Sequence, residues 1–467
     1  MARRRSTTML AMTLLTLLSW ALAATTAQAA TQTISKTFGP IKIGGYEVRQ
    51  ENSIGVPTPG VDGYITDMRV NVVDKRGKPL PISRVMLHHV VFLNAGSPAR
   101  PRTDKTCSQF TLWDSRSRLP ALAERFYAAG EERAEMRLPA GYGYPVARDD
   151  TWFLVWMLMN HRQLPDQAYI KYDMTVETAD PLQEVTPYWL DVNNCLVDPI
   201  YNIPGGGRPG ALDRRSAEWT IPTAGRLVAG TGHVHGGGRD LTVTEPTCGD
   251  REIARFQPTW GQATHPFYNV RPILHEPGPI NVTAMTSPTG VPLAANSKLR
   301  LTSTYDGVLP HTRVMGISVV YVAPDPTVTE PCGALPLDVS YSGRPPGRPT
   351  PPRFTVPLTG IDPDSGRAIT IQAPPGRRVA LRSGATVKIK GFNFSKRNIV
   401  LRRGSRLRWD FDDDGTIHNV TLASGPIGFG SENLDRGSFT QRFSKAGTYR
   451  IFCALHPVAM TESVVVR

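Results

Sequence analysis

The stretch GTYRIFCALHPVAM, residues 447–460, decides the fold of the C-terminal part of the chain. Thr448 to Phe452 predicts a β-strand that runs straight into Cys453. His456 follows three residues later and Met460 four residues after that, so three possible metal ligands share one tight loop. The stretch therefore predicts a metal site at the end of a strand.

A fourth ligand, His418, must come from a neighbouring strand end across the sandwich. Two imidazoles, one thiolate and a weak axial thioether form a trigonal environment that accepts both oxidation states of copper. The alternative is that Cys453 is a free or disulfide-bonded cysteine and that Met460 only packs. The order and spacing of all four ligand types favour the copper site.

Two segments carry a family resemblance. GTIHNV, residues 415–420, and GTYRIFCALHP, residues 447–457, resemble the plastocyanin-type cupredoxins. The resemblance covers residues 382–467 and implies a Greek-key β-sandwich with one type 1 copper that carries electrons. It implies His418, Cys453, His456 and Met460 as the copper ligands.

More histidines lie earlier in the chain. His233 and His235 alternate along a predicted strand, so both side chains project from one face and can bind one metal. Met315 would complete that site as a soft ligand that favours Cu(I). The adjacent His88 and His89 point to opposite faces of a regular strand, so they can share a metal only at a bend or bulge.

His161 would close an all-imidazole set with that adjacent pair. Imidazole alone does not distinguish copper from zinc, so zinc remains an alternative metal. A pair of adjacent histidines is also common in packing or on a surface. These residues by themselves therefore predict metal binding less strongly than the C-terminal set does.

The order of these histidines resembles the ascorbate-dependent copper type II monooxygenases, the family of the peptidylglycine alpha-hydroxylating and dopamine beta-monooxygenases. MLHHVV (86–91), RLPAGYG (137–143) and HPFYNV (265–270) support the resemblance, which spans residues 41–322. It implies two jelly-roll-like β-sandwiches that face each other across a solvent-filled cleft. It also implies hydroxylation of an aliphatic C–H bond with O2, with electrons supplied singly.

The resemblance assigns a role to each ligand set. His88, His89 and His161 would hold an electron-supplying copper on the first sandwich. His233, His235 and Met315 would hold the catalytic copper, which binds oxygen and substrate, on the second sandwich. With the type 1 site, three coppers per chain are expected, two of them mononuclear and type 2-like.

The chain departs from this family at the positions that grip a peptide carboxylate. Thr231 stands where the peptide-amidating enzyme has an arginine, and Ile317 and Val319 stand where it has asparagine and tyrosine. A peptide carboxylate is therefore not the substrate group that we expect this protein to recognise. We expect a different, less charged substrate.

The overall pattern predicts an all-β chain, because short β-rich runs alternate with Gly, Pro and Asp turns. Only Leu119 to Ala128 has the pattern of an amphipathic helix. The expected units are a signal peptide (1–29), a first sandwich (30–180), a second sandwich (181–333), a Pro/Arg-rich extended linker (334–381) and the cupredoxin-like sandwich (382–467). The linker composition cannot form a core of its own.

The N-terminus indicates export. A basic start, an apolar stretch from Met9 to Ala24 and a small-x-small site before Ala30 are typical of a secretory signal peptide, although Arg4-Arg5 leaves the twin-arginine route open. We expect a secreted or extracytoplasmic protein, in the periplasm or at the cell surface, without a stable membrane span. If Cys453 binds metal, the other four cysteines can form two disulfides in any of three pairings. These are Cys107, Cys195, Cys248 and Cys332.

Charge excludes one class of partner. The formal net charge is +13, and it falls to about +10 without the signal peptide. The basic residues are scattered and lack interleaved aromatic residues, so nucleic-acid binding is not expected. Three further histidines were assigned no metal: His311 is expected on an exposed loop, and His265 and His275 in Pro-containing loops.

The sequence thus predicts an exported copper monooxygenase with an internal electron carrier that feeds the His88/His89/His161 copper. Its expected partners are O2, an unknown organic substrate, and an electron source, either a reductant such as ascorbate or an electron-donor protein. The rival hypothesis is a copper-binding or copper-delivery protein without hydroxylase activity.

Overall fold

The computed structural model describes residues 31–467 except 108–109, 112–117, 120–122, 194, 197, 343–346, 355, 357–358, 363, 371–373 and 375. The prediction of an all-β chain of sandwiches is confirmed. Within the described part, the helical elements are a four-residue α-helix, Pro266–Asn269, and a 3-10 turn, Pro246–Cys248. The predicted signal peptide, residues 1–29, lies outside the described residues.

The first sandwich has a six-stranded and a four-stranded sheet. The six-stranded sheet contains, in order, Thr31–Ile43, Asp166–Glu177, Gly63–Val73, Tyr142–Val146 and Gln183–Glu184, with Met136–Arg137 also paired to the third. The four-stranded sheet contains Val48–Val56, Trp152–Asn160, Val85–Asn94 and Glu124–Gly130. Two short hairpins pair Gly96–Ser97 with Arg100–Pro101 and Phe110–Thr111 with Arg118–Leu119.

The second sandwich has a five-stranded sheet, here called the inner sheet, and a four-stranded sheet. The inner sheet contains Thr186–Asp191, Gly316–Pro324, Gly225–Val234, Ala284–Leu293 and Ser340–Tyr341. The four-stranded sheet contains Leu212–Ile221, Ser297–Asp306, Gly238–Glu245 and Arg251–Phe256. Short pairs join Tyr201–Ile203 to His311–Val314 and Pro258–Thr259 to Asn281–Val282.

The C-terminal sandwich has a five-stranded and a four-stranded sheet around one apolar core. The first contains Val379–Ala380, Asn398–Leu401, Thr461–Val466, Gly447–Phe452 and Thr421–Ser424. The second contains Asn393–Phe394, Ala385–Lys390, Arg406–Asp412 and Arg436–Arg442. A separate hairpin pairs Thr359–Ile361 with Ala368–Thr370.

The central strands of the inner sheet are buried on both faces. In its strand Gly316–Pro324, Ile317 and Tyr321 belong to the core shared with the first sandwich, whereas Val320 belongs to the core of the second. The Tyr321 hydroxyl donates a hydrogen bond of 2.9 Å to the Phe126 carbonyl oxygen across this contact. The two sandwiches therefore pack through an apolar interface, and this corrects the expectation of a solvent-filled cleft between them.

The predicted linker, residues 334–381, is attached to the rest of the protein along its described part. Ser340–Tyr341 adds a strand to the inner sheet, and Arg348 exchanges backbone hydrogen bonds of 2.6 and 2.8 Å with Trp260. Further on, Asp364 forms an ion pair of 2.7 Å with Arg162 of the first sandwich. The composition of this segment prevents it from forming a core of its own. Its described residues instead bind to the first two sandwiches, so the segment is not a free tether.

The C-terminal sandwich docks against both others. Thr312 donates a hydrogen bond of 3.0 Å to the Leu422 carbonyl oxygen, and the Gly428 N–H donates one of 2.8 Å to that of Pro204. Leu455, next to the candidate ligand His456, packs with Val458 against an apolar cluster that includes Met86, Met157 and Met159. These contacts fix the position of the C-terminal metal-ligand loop relative to the earlier histidines.

Three further findings complete the fold. The disulfides are Cys107–Cys195 and Cys248–Cys332, which selects one of the three open pairings. Within the predicted helix Leu119 to Ala128, the described residues from Glu124 onward form a strand, so that prediction is wrong. No helix in the described ranges is long and apolar enough to cross a membrane.

Candidate metal centres

The strand Gly447–Phe452 delivers Cys453 to a loop that its own backbone closes. The Cys453 N–H donates a hydrogen bond of 3.1 Å to the Met460 carbonyl oxygen, and the Met460 N–H donates one of 2.9 Å to that of His456. These bonds fold residues 453–460 into the tight loop that the spacing predicts.

Three predicted ligands converge at this loop. The Nδ1 atoms of His418 and His456 lie 3.3 Å apart, and the Cys453 Sγ lies 3.5 Å from the His456 Nδ1. The ligand atoms of all three residues lie within 4.8 Å of one another, and Met460 is fully buried in the adjoining core. Cys453 is not in a disulfide, so the disulfide alternative is removed and a free thiol is the alternative to a metal ligand that is left.

Neighbouring polar side chains hold these ligands in place. The second ring nitrogen of His418, Nε2, lies 2.8 Å from an Asp413 carboxylate oxygen, which leaves Nδ1 directed at His456. The buried Asn419 amide oxygen accepts hydrogen bonds from the Ala454 N–H at 2.7 Å and from the Thr421 hydroxyl at 2.9 Å. Asn419 thereby ties the strand end that carries His418 to the loop that carries Cys453.

Burial changes the protonation of the ligands. It raises the pKa of the Cys453 thiol, and together with the neighbouring His418 it lowers the pKa of His456 to about 4. A neutral imidazole offers a lone pair at neutral pH, whereas the thiol must lose its proton to bind a metal. Proton release therefore accompanies metal binding at this site.

His88 and His89 lie at an irregularity in their strand. Along the pairing with Trp152–Asn160, His89 is opposite Met157 and Leu87 is opposite Leu158, so the register shifts at His88. This bulge turns both side chains to the same side, and their Nδ1 atoms lie 3.1 Å apart. The bulge that adjacent strand histidines need in order to share one metal is thus present.

His233 and His235 face each other as the strand alternation predicts, with their Nε2 atoms 3.0 Å apart. Tyr305, which no sequence pattern singles out, positions the second of them. The His235 N–H donates a hydrogen bond of 2.8 Å to the Tyr305 hydroxyl, which donates one of 2.5 Å to the Met315 carbonyl oxygen. One buried tyrosine thus links the backbones of two predicted ligands.

The structure brings the two histidine pairs together. The rings of His88 and His235 lie 4.9 Å apart between centroids, and those of His88 and His275 lie 5.1 Å apart. His275 also contacts Glu131, and the ligand atoms of His88, Glu131 and His275 lie within 4.8 Å of one another. His275 was expected to have no metal role, but its position makes it a candidate ligand.

His161 is fully buried directly after Trp152–Asn160, and neither ring nitrogen makes a hydrogen bond of normal geometry, although the Ile82 backbone is close enough to act on its pKa. Burial, with His275 nearby, lowers the pKa of His161 to about 3. Among the residues that the structure describes, His161 does not form a close three-ligand group with His88 and His89. Two unsatisfied buried nitrogens are costly, and a bound metal would satisfy one of them.

The other imidazoles differ in charge preference. Burial and neighbouring imidazoles lower the pKa of His88 and His235 well below the ordinary value, and burial together with His233 lowers that of His89 to about 3. His233 is the exception, because the Glu132 carboxylate outweighs burial and raises its pKa. Most of the cluster is therefore neutral and able to donate lone pairs.

His311 does not lie on an exposed loop, so that expectation is wrong. It is buried, and its Nδ1 lies 2.8 Å from a Glu276 carboxylate oxygen. Burial opposes protonation, but Glu276 and Asp306 raise the pKa of His311 to about 9. It therefore forms a charged pair rather than a free metal ligand.

Two cavities adjoin the histidines of the first two sandwiches. The larger, of about 140 Å³, lies between all three sandwiches, and His88, His235, Met315, Phe452 and Ala454 are among its walls. The smaller, of about 40 Å³, lies in the interface of the first two sandwiches beside His89 and His233. Since Phe452 and Ala454 flank Cys453, the larger cavity extends from the imidazole cluster to the neighbours of the C-terminal ligand loop.

Comparisons with known proteins add little. No family model matches the chain, and no curated protein matches it. Among solved structures, an oxidised mutant of amicyanin shares 22% identity over 18% of this chain and 81% of its own, with a TM-score of 0.16. Auracyanin from the photosynthetic bacterium Roseiflexus castenholzii shares 15% identity over 18% of this chain and 95% of its own, also with a TM-score of 0.16. The functional assignment therefore depends on the geometry of the sites.

Proposed function

We propose that the chain is an exported copper-dependent monooxygenase. It would insert one oxygen atom of O2 into an aliphatic C–H bond of a small organic substrate, while the other leaves as water after uptake of two electrons and two protons. The observation that carries the proposal is the larger cavity, which borders His88, His235 and Met315 on one side and the neighbours of Cys453 on the other.

The donor atoms present suit copper. The C-terminal loop offers two imidazoles, a thiolate and a buried thioether, a set that accepts both oxidation states. The other cluster offers several neutral imidazoles and the unpartnered nitrogens of His161, beside a buried Met315. When bound, copper would supply single-electron transfer at the first set and oxygen activation at the second.

The protein's own residues would orient and shield these groups. Glu132 and Tyr305 hold His233 and His235, and the apolar interface around Ile317 keeps water away from one side of the cluster. The docked C-terminal sandwich would pass electrons from a reductant such as ascorbate, or from a donor protein, through His418, Cys453, His456 and Met460. Two disulfides are consistent with export, because such bonds persist in oxidising compartments.

The proposal is tested by metal analysis, colour and oxygen uptake on the full chain. We expect three coppers, one at the C-terminal loop and two in the imidazole cluster, together with an intense blue absorption that Cys453→Ser removes and oxygen uptake matched by hydroxylated product. Cys453→Ser should slow turnover with a protein reductant and leave turnover with excess ascorbate largely intact. Equal loss under both conditions would contradict the donor role, and zinc in the imidazole cluster would contradict the oxygen chemistry.

A second function is favoured by one observation. Ile317 and Val319, where the resembling enzymes grip their substrate, are buried in the packed interface, and the Thr231 hydroxyl is buried without a partner. These positions fit a copper-binding or copper-delivery protein that lacks hydroxylase activity. Copper bound without oxygen uptake by the reduced protein, across a range of small organic compounds, would select this function.

A further inference from the structure

We propose that the larger cavity is the binding site for a small, uncharged, mostly apolar molecule and that the C-terminal sandwich forms one of its walls. The inference rests on the proposed function, since it names the class of substrate. It also makes a claim that can fail separately, because binding is measurable without turnover.

Volume limits the occupant. The cavity measures about 140 Å³. An engineered protein cavity of about 150 Å³ with apolar walls takes up benzene or xenon. A single six-membered ring or a short branched chain therefore fits, whereas a peptide or a fused-ring compound does not.

The walls are mainly apolar and come from different parts of the chain. They include Met157 of the first sandwich, Ile200 and Leu309 of the second, and Leu422 and Phe452 of the C-terminal sandwich. Phe354 of the connecting segment contributes a further ring. An apolar molecule would gain about 25 cal/mol for each Å² that it removes from water here.

The charged groups at the walls already have partners. Glu276 pairs with His311 at 2.8 Å, and Asp198 pairs with Arg313 at 3.3 Å. His275 contacts Glu131. A substrate carboxylate or ammonium would thus be buried without a free counter-charge, which is strongly unfavourable.

The opposite walls give the occupant a defined position. Met315 and His235 border the cavity from the second sandwich, and Ala423 and Ala454 border it from the C-terminal sandwich. A bound molecule would therefore contact both the proposed oxygen-binding site and the sandwich proposed to supply electrons.

Benzene is a suitable probe on the full chain, in copper-free and copper-loaded form. We expect it to raise the thermal unfolding midpoint and to bind measurably by calorimetry, whereas naphthalene and benzoate should do neither. Leu309→Trp fills the cavity from the second sandwich and Ala423→Leu from the C-terminal one, and each should weaken benzene binding by about tenfold or more. Leu337→Trp is the matched control, because Leu337 is fully exposed.

The inference would be overturned if benzoate bound as tightly as benzene. It would also be overturned if both cavity variants bound benzene as tightly as the unchanged protein. If Leu309→Trp fails to fold, Ala423→Leu still decides the outcome. Benzene binding, together with no oxygen uptake by the reduced, copper-loaded protein when cyclohexane is supplied as an aliphatic substrate of similar size, would sustain the cavity and reject the monooxygenase. If the protein instead hydroxylates a charged or fused-ring substrate with O2 and does not bind benzene, the monooxygenase is sustained and the apolar binding site is rejected.

Discussion

The Oε2 atom of Glu132 lies 3.0 Å from the Nδ1 atom of His233. The other carboxylate oxygen accepts a hydrogen bond of 2.8 Å from the Gly130 N–H, so the carboxylate is fixed on the turn that follows Glu124–Gly130. A carboxylate at Nδ1 favours the proton there and leaves Nε2 free. That free nitrogen is the one directed at His235.

Glu132→Gln should therefore weaken copper binding at the His233/His235 pair. Loss of such a carboxylate partner costs roughly tenfold to a hundredfold in metal affinity. Chelator competition on the full chain measures the effect. Glu135→Gln, on the same loop but more exposed, is the control and should leave the affinity unchanged; equal affinities for all three proteins would show that Glu132 does not position His233.

His161→Leu should separate metal binding from packing. In the metal-free protein this change removes two buried nitrogens without partners, so the free energy of unfolding should stay constant or rise by about 1 kcal/mol. The additional stability conferred by copper should fall, because a candidate ligand is lost. Urea unfolding with and without copper measures both, with His265→Leu as control. If copper raised the unfolding free energy of His161→Leu as much as that of the unchanged protein, His161 would be excluded as a ligand.

Asn419→Ala should disturb the C-terminal site without removing a ligand. The change leaves the buried Ala454 N–H without its acceptor, which costs roughly 1–3 kcal/mol of unfolding free energy. It also frees the loop that carries Cys453, so the absorption band of the copper-loaded protein should shift and broaden. Asn393→Ala, at an exposed strand position, should change neither the band nor the stability.

His311 should make stability depend on pH. Its ordinary pKa is 6.5, and the folded protein raises the pKa to about 9, so folding favours the protonated form. The stabilisation of up to about 3 kcal/mol is fully present below the ordinary pKa and is lost as pH rises through about 9. The difference in unfolding free energy between the unchanged protein and His311→Gln should shrink over that window. A difference that stays constant with pH would show that His311 is not held in its charged form.

The disulfide Cys107–Cys195 joins the first sandwich to the second across 88 residues of sequence. Replacement of both cysteines by alanine should lower the unfolding free energy by roughly 2–5 kcal/mol, because the unfolded chain loses a constraint. Urea unfolding under oxidising conditions measures the loss. Under reducing conditions the difference between the variant and the unchanged protein should disappear, and a persisting difference would point to packing at the two positions instead.

The local parts of the candidate sites could be predicted from sequence. The loop that carries Cys453, His456 and Met460 depends on spacing within a few residues, and the need for a bulge if His88 and His89 are to share a metal follows from the geometry of adjacent strand residues. The ligand assignments themselves stay predictions until metal binding is measured.

Contacts between distant segments could not be predicted in this way. His275 and Glu131 are separated by 144 residues, and nothing in the surrounding loop marks either as a partner of His88. The burial of His311 depends on Glu276, which only the tertiary fold brings close. Likewise, helix-forming residues before Gly130 form a strand because Phe126 and Tyr127 are both fully buried, at a register shift where each ring contacts Phe92.

The attachment of the described part of residues 334–381 would set the kinetics of the proposed electron transfer between the sandwiches. Because Ser340–Tyr341, Arg348 and Asp364 are bonded to the first two sandwiches, the C-terminal sandwich does not search for its contact by diffusion. Transfer across the contact would be first order, independent of protein concentration and insensitive to solvent viscosity. Detaching the C-terminal sandwich would also open the larger cavity, so cutting the chain there would not yield two working halves.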